Sequence, residues 1–358
     1  MNKSTHGNWT TITKPDGYDK EINHDLIYVR RVNNLPSDKI DILAHCYIPE
    51  QTINIDHKGR IFICSCDGWL PYPVGHVLDF NCISEIFNSE MAKLIHKSII
   101  EKKYTYCVTA SCGIKHKKSN KRTNSIQLGV GIDIGCNLSC PSCRERVILD
   151  NSEEFINERN TWIERISSWI EKSNDKIFNV IMGSNGDPFV SKVYLNLFKK
   201  INEFENIRLA VKTNGLFIKK RLIPTLASKV SSLSISIDAA SKNTYEVVRR
   251  GASWETLLEN LEYCKLLNIT HNIKLSANFV VQRSNYTEMK DFVHFCRNYN
   301  MSVTFSHLSD WGTWHTFSDQ CVHIAESPYY DKFKEIINDP LFDSDDVSMG
   351  ILKTHDNK

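Results

Sequence analysis

The sequence predicts an α/β fold: a partial (β/α)6 barrel preceded by a small cysteine-rich α+β module. Three observations carry this. From residue 126 onward, strand-like apolar runs alternate with segments whose apolar residues recur at helical spacing. The first of these runs leads into "GIDIGCNLSCPSCRER", where Cys136, Cys140 and Cys143 crowd a polar loop. Upstream, Cys46, Cys64, Cys66, Cys107 and Cys112 bracket a hairpin pattern and an amphipathic helix.

The chain has 358 residues, more than one domain usually holds, so a large domain with a smaller companion is expected. Hydrophobic residues at 41% allow a substantial core. With 44 basic against 42 acidic residues, the formal net charge of +2 gives no global attraction to nucleic acid or an anionic membrane, and neither partner is expected. The opening "MNKSTHGNWTTITKPDGYDKEINHD" has no apolar run, so no signal peptide is read there. Nowhere do about 18 apolar residues run together as a membrane span requires. Twelve cysteines without an export signal should stay reduced, which points to the cytoplasm and favours metal or cluster binding over disulfides.

Residues 1–45 form a polar segment of unclear role. Over 46–112, "TINID" and "RIFIC" alternate around the turn-forming "DHKG", predicting a hairpin across Thr52–Cys64. Ile83, Ile86, Phe87, Met91, Leu94, Ile95 and Ile99 predict one helix ending near Tyr104. This module would bury little surface alone, so a bound metal or cluster would help to fix it. The basic run within 113–126 reads as a solvated linker. Over 127–312, "IQLGVGIDI", "IFNVIMG", "IRLAVKTNG", "SLSISID", "IKLSANFVVQ" and "SVTFSHL" predict six strands. Helices lie between them, including a short one near Pro224. Residues 313–358 form a tail that could cover the barrel mouth.

Barrel active sites sit on the loops after the strands, and the three-cysteine loop follows the first strand. Its C-x3-C-x2-C spacing lets one loop present three thiolates to three irons of a [4Fe–4S] cluster, leaving the fourth iron open. A structural zinc would need a fourth local Cys or His, and none follows closely. Three core cysteines are the remaining alternative, against which stand Ser139, Pro141 and Ser142.

With this loop and the strand-end motifs after it, the chain resembles the radical S-adenosylmethionine (radical SAM) enzymes over roughly residues 127–310. The resemblance implies that Cys136, Cys140 and Cys143 hold a [4Fe–4S] cluster whose open iron binds SAM. "NGDP" (Asn185, Gly186, Asp187, Pro188) stands where the family binds the SAM amino group, with Asp187 in place of the usual Glu. "TNG" (Thr213–Gly215) ends the third strand, as is common in the family. "SISIDAASKNTYEVVRRG" resembles the segment whose Ser236 and Asp238 approach the ribose and whose Arg249 or Arg250 reaches the carboxylate. "NFVVQRSNYTEM" resembles the segment beside the adenine. Ser142 stands where relatives often carry an aromatic residue. The implied activity is reductive cleavage of SAM to a 5′-deoxyadenosyl radical, which abstracts a hydrogen atom from a substrate. That substrate would be a peptide or a sugar- or cyclitol-like small molecule, and a flavodoxin- or ferredoxin-type donor would supply the electron.

The second cysteine set resembles the SPASM/twitch auxiliary-cluster module of many such enzymes, here placed before the barrel. It implies a second [4Fe–4S] cluster on Cys46, Cys107, Cys112 and one of Cys64 and Cys66, with a four-cysteine zinc site as the competing reading. The preferred choice is Cys64, which ends the hairpin. Cys82, Cys264, Cys296 and Cys321 read as small buried hydrophobes. Cys321, near His307, Asp310, His315 and His323 in sequence, is also a candidate hydrogen-atom donor. Trp311 and Trp314 could line a pocket. The alternative from a different class is a non-catalytic, zinc-stabilised binding protein in which both cysteine sets are structural.

Overall fold

The computed structural model describes residues 45–65, 70–107, 112, 121–222, 228–350 and 352–353. Residues 1–44, Cys66, most of the basic linker, the helix expected near Pro224 and the end of the tail lie outside the described residues. None of the described helices is long and apolar enough to cross a membrane. The chain divides into two compact units, Met1–Gly129 with Arg165–Phe178, and Val130–Glu164 with Asn179–Lys358.

The first unit begins with α1 (Ile48–Gln51), β1 (Thr52–Ile55) and β2 (Arg60–Phe62). β1 and β2 pair antiparallel with Asn54 opposite Phe62, the hairpin that alternation predicts. Asp56 organises its turn by accepting from the amides of Lys58 and Arg60, both at 2.9 Å. Gly59 closes the turn at φ +73°, where a Cβ would lie 2.2 Å from the His76 ring. β3 (Gly75–His76) pairs with β2, and β4 (Ser125–Val130) lies beside β1. α2 (Ile83–Phe87) and α3 (Glu90–Ile100) replace the single helix that the apolar spacing predicts. The break falls at Ser89, whose side chain accepts from the Ala92 amide and caps α3. Ile53, Ile61, Ile63, Val77, Ile86 and Ile95 are fully buried and form the core.

Helix α4 (Glu153–Glu171) gives its last residues to this unit. The reason is polar: Arg165 Nη1 and Trp169 Nε1 both donate to the Phe80 carbonyl, at 2.9 and 3.0 Å. Lys172 Nζ reaches the Asn81 carbonyl at 3.0 Å.

The second unit is the α/β body. Its strands run in the order β5 (Ile177–Met182), β6 (Ile207–Thr213), β7 (Val230–Ser236), β8 (Lys274–Val281), β9 (Ser302–His307) and β10 (Val347–Ser348). The pairs from β6 to β10 are parallel, with registers such as Thr213 opposite Ile235 and Ser236 opposite Asn278. The helices that follow are α5 (Lys192–Ile201), α6 (Ile218–Arg221), α7 (Lys242–Val248), α8 (Trp254–His271), α9 (Met289–Arg297) and α10 (Tyr330–Ile337). All six strands expected from sequence are present as β4 to β9. β10 is an addition: tail residues pair beside β9, Val347 opposite Val303, a register too short to leave a period in the sequence.

Candidate active site

The loop after β4 is held by its own ends. Cys136 and Ile148 exchange backbone hydrogen bonds at 2.7 and 3.3 Å. The Cys140 carbonyl accepts from the amides of Cys143 (2.9 Å) and Arg144 (3.0 Å), which turns the chain so that the three thiols share one loop. Asp133, only 4% exposed, accepts from the Gly135 amide at 2.8 Å and pairs with the Ser191 hydroxyl at the N-cap of α5. Tyr194 Oη completes this support by donating to the Val130 carbonyl at 3.0 Å.

Each sulfur has a nitrogen donor facing it. Asn214 Nδ2 lies 3.9 Å from Cys136 Sγ, Arg249 Nη1 lies 3.9 Å from Cys140 Sγ, and Arg144 Nε lies 3.4 Å from Cys143 Sγ. Burial pushes the Cys136 and Cys140 thiols up, while Arg144 and Arg249 respectively pull them back toward ionisation. Donors of this kind suit thiolate sulfur, the form that ligates metal. Among the described residues, no three His, Cys, Asp or Glu side chains converge to hold a single metal ion. A cubane cluster does not require that, since each thiolate binds a different iron. The donor set therefore fits a cluster.

The NGDP turn reaches the same loop through its backbone. Gly186 packs so closely that a Cβ would lie 2.6 Å from the Gly135 carbonyl oxygen and 2.8 Å from the Ile134 carbonyl carbon. Asn185 accepts at its carbonyl from Arg144 Nη2 at 2.9 Å. The Asp187 carboxylate turns inward: it accepts from Thr213 Oγ1 (2.8 Å), the Asn214 amide (2.7 Å) and the Phe189 amide (3.0 Å). Burial nevertheless raises its pKa. With those acceptor positions filled, Asp187 ties β5 to the end of β6.

Asp238 corrects its expected role in the same way. Its backbone is left-handed (φ +65°) and its side chain is fully buried. Oδ1 accepts from the Val280 amide at 2.8 Å, and Oδ2 lies 2.7 Å from Arg249 Nη2. A carboxylate so enclosed does not face a ribose; it positions Arg249. Burial works against the guanidinium charge, but Asp238 and then Cys140 hold it on. Ser236, half-buried at the end of β7, remains at the strand's site end. Arg250 fastens the cysteine loop: Nε donates to Ser139 Oγ at 3.2 Å and Nη2 to the Glu145 carbonyl at 3.1 Å.

Sequence reasoning passed over Asp133, Arg144, Asn214, Asn285 and Glu288. Asn285 is fully buried and donates to the Asp238 and Val280 carbonyls, both at 2.9 Å, pinning the left-handed turn. Glu288 accepts from the Ala240 amide and from Ser241 Oγ, both at 2.7 Å, holding the start of α7. Arg144 had a signal, its place directly after Cys143. Cys321 is 3% exposed, and its thiol donates to the Phe317 carbonyl at 3.6 Å.

In the first unit, burial and then the thiols of Cys64, Cys46 and Cys112 push the Cys107 thiol up to about 12. The thiols of Cys64, Cys46 and Cys112 thus stand within electrostatic reach of Cys107, and Cys64 is the described member of the Cys64/Cys66 pair. Cys264 and Cys296 are fully buried in the second unit as core residues.

Residues 134–296 match the Radical SAM superfamily. The matched segment is less than half of the chain. It is 27% identical over 175 residues to a GTP 3′,8-cyclase of Alkaliphilus metalliredigens, covering 48% of this chain and 53% of that protein. It is 24% identical over 182 residues to the molybdenum cofactor biosynthesis protein 1 of Dictyostelium discoideum, covering 50% of this chain and 28% of that one. The chain spans about half or less of the length of these curated relatives. Among solved structures, it is similar to Streptococcus suis SuiB bound to S-adenosylmethionine, at 16% identity and a TM-score of 0.39, covering 71% of this chain and 59% of that one.

Proposed function

We propose that this protein is a radical SAM enzyme that reductively cleaves SAM and abstracts a hydrogen atom from a substrate. The observation that carries this reading is the convergence of Asn214, Arg249 and Arg144 on the sulfurs of Cys136, Cys140 and Cys143. When bound, the [4Fe–4S] cluster and SAM supply one-electron cleavage of the sulfonium C–S bond to give the 5′-deoxyadenosyl radical.

The chain's own residues bind and orient. The three cysteines offer thiolates on a loop braced by Asp133, Ser191 and Tyr194. The backbone of Asn185–Gly186 lies against that loop, and its carbonyls offer acceptors to an ammonium group. Arg249, oriented by Asp238, is the guanidinium placed for a carboxylate beside Cys140. An external low-potential donor of flavodoxin or ferredoxin type supplies the electron.

A second [4Fe–4S] cluster on Cys46, Cys64, Cys107 and Cys112 belongs to the same reading, supported by the influence of the other three thiols on Cys107. The family match covers the barrel but not this cysteine unit. The likeness to GTP cyclases therefore makes GTP a substrate to assay beside peptides and sugar- or cyclitol-like molecules.

Anaerobic iron and sulfide counting, with 5′-deoxyadenosine formation from SAM and dithionite, tests the proposal. About eight irons should fall to about four in Cys136→Ala/Cys140→Ala/Cys143→Ala, and nucleoside formation should cease. Continued formation by that variant would overturn the site, and stoichiometric zinc in a colourless protein would establish the structural alternative.

A further inference from the structure

Near Cys46, Cys107 and Cys112 of the first unit stands a tyrosine whose conformation and burial the fold does not otherwise use. After α3 the chain coils back on itself: the amides of Lys103 and Tyr104 both donate to the Ser98 carbonyl, at 2.8 and 3.2 Å. This tight exit places Tyr104 at φ +50°, the left-handed region that bulky residues avoid. The Tyr104 carbonyl then accepts from the Cys107 amide at 2.9 Å, so the strained residue is hinged directly to one of the thiol-bearing positions.

Tyr104 is 9% exposed, and among the described residues its buried hydroxyl has no hydrogen-bond partner. A buried phenol ordinarily finds one, because leaving the donor unmet costs about 1–3 kcal/mol. The groups that act on this phenol, after burial itself, are Cys46, Cys107 and Cys112. Strain, burial and an unmet donor thus coincide at a residue whose carbonyl is bonded to the Cys107 amide.

We propose that the Tyr104 hydroxyl donates a hydrogen bond to a sulfur of the cluster held by Cys46, Cys64, Cys107 and Cys112, and thereby raises that cluster's reduction potential. The inference rests on the second-cluster reading above. A hydrogen bond to cluster sulfur stabilises the more negative, reduced state, so a donor there favours reduction. Tyr104 is a positioning and tuning residue; it is not a ligand.

The test uses the full-length chain, anaerobically reconstituted in the Cys136→Ala/Cys140→Ala/Cys143→Ala background so that only the N-terminal cluster reports. Tyr104→Phe keeps the ring and removes the donor. It should retain about four irons while its reduction equilibrium shifts about tenfold toward the oxidised form, ~59 mV for one electron. The exchangeable-proton coupling seen by pulsed EPR on the reduced cluster should disappear. An unchanged midpoint, or a coupling that survives the substitution, would overturn the role of Tyr104. Absence of iron, or zinc in its place, in the parent background would overturn the second cluster itself, before Tyr104 is touched.

Discussion

Arg249 joins a fully buried carboxylate to a cysteine of the loop: Nη2 lies 2.7 Å from Asp238 Oδ2 while Nη1 lies 3.9 Å from Cys140 Sγ. Removing one partner of such a pair leaves an uncompensated buried charge. Asp238→Ala should therefore destabilise the protein by about 3–5 kcal/mol in urea unfolding. Asp238→Ala combined with Arg249→Met should be less destabilising than Asp238→Ala alone. Additive losses in that double-mutant cycle would show that the two side chains are energetically independent.

Asp187 makes a contrasting prediction, because its partners are neutral. Asp187→Ala strands the Thr213 hydroxyl and the amides of Asn214 and Phe189. The expected loss is about 3 kcal/mol, and Asp187→Asn should recover part of it. If thermal unfolding of Asp187→Ala matched wild type, the carboxylate would not be the brace between β5 and β6.

Gly186 and Gly251 separate close approach from backbone conformation. At Gly186 a Cβ would meet the backbone of Gly135, Ile134 and Asp133, within 2.6–2.9 Å. Gly186→Ala should cost about 1–3 kcal/mol and lower the iron retained on the cysteine loop. At Gly251 the nearest atom to a Cβ is 3.7 Å away, but φ is +94°. Gly251→Ala should cost about 1–2 kcal/mol through conformation alone, with iron content preserved. Chemical denaturation with parallel iron assay distinguishes the two.

The turn after β9 touches the cysteine loop through Thr313, whose hydroxyl donates to the Pro141 carbonyl at 2.5 Å. Thr313→Val should cost about 1 kcal/mol and speed amide exchange across the turn around residue 313. Unaltered exchange there would mean the contact does not hold the turn.

Arg297 grips Asp346 with two hydrogen bonds, Nε to Oδ2 at 2.8 Å and Nη2 to Oδ1 at 2.9 Å, beside β10. Arg297 holds the Asp346 carboxyl below its ordinary value. A depressed carboxyl contributes stability above its unfolded pKa and loses it as pH falls through the folded value. Arg297→Met should thus cost about 0.5–1 kcal/mol at pH 7, where the pair is part-exposed. The difference from wild type should shrink as pH falls through the lowered Asp346 pKa; a pH-independent difference would assign the loss to packing.

Much of this protein was legible in its residues. Strand periodicity from Ile126 to Leu308 marked β4 to β9, because a sheet covered by helices leaves apolar runs. The three-cysteine spacing is local, so Cys136, Cys140 and Cys143 could be assigned to one site before any tertiary contact was known. Helix caps are equally local, but a polar residue inside an apolar pattern is easily overrun, and the stop at Ser89 was missed for that reason.

What the residues alone determined was the inventory: which loops carry thiols, which strand ends carry a carboxylate or a guanidinium, and in what order. Only the tertiary structure decided which way those side chains face. Asp187 and Asp238 looked ligand-facing because carboxylates at strand ends are free in one dimension; in three, neighbouring donors from β6, β8 and Arg249 claim them. Burial makes that difference, since a polar atom removed from water must take whichever partner the fold brings within reach.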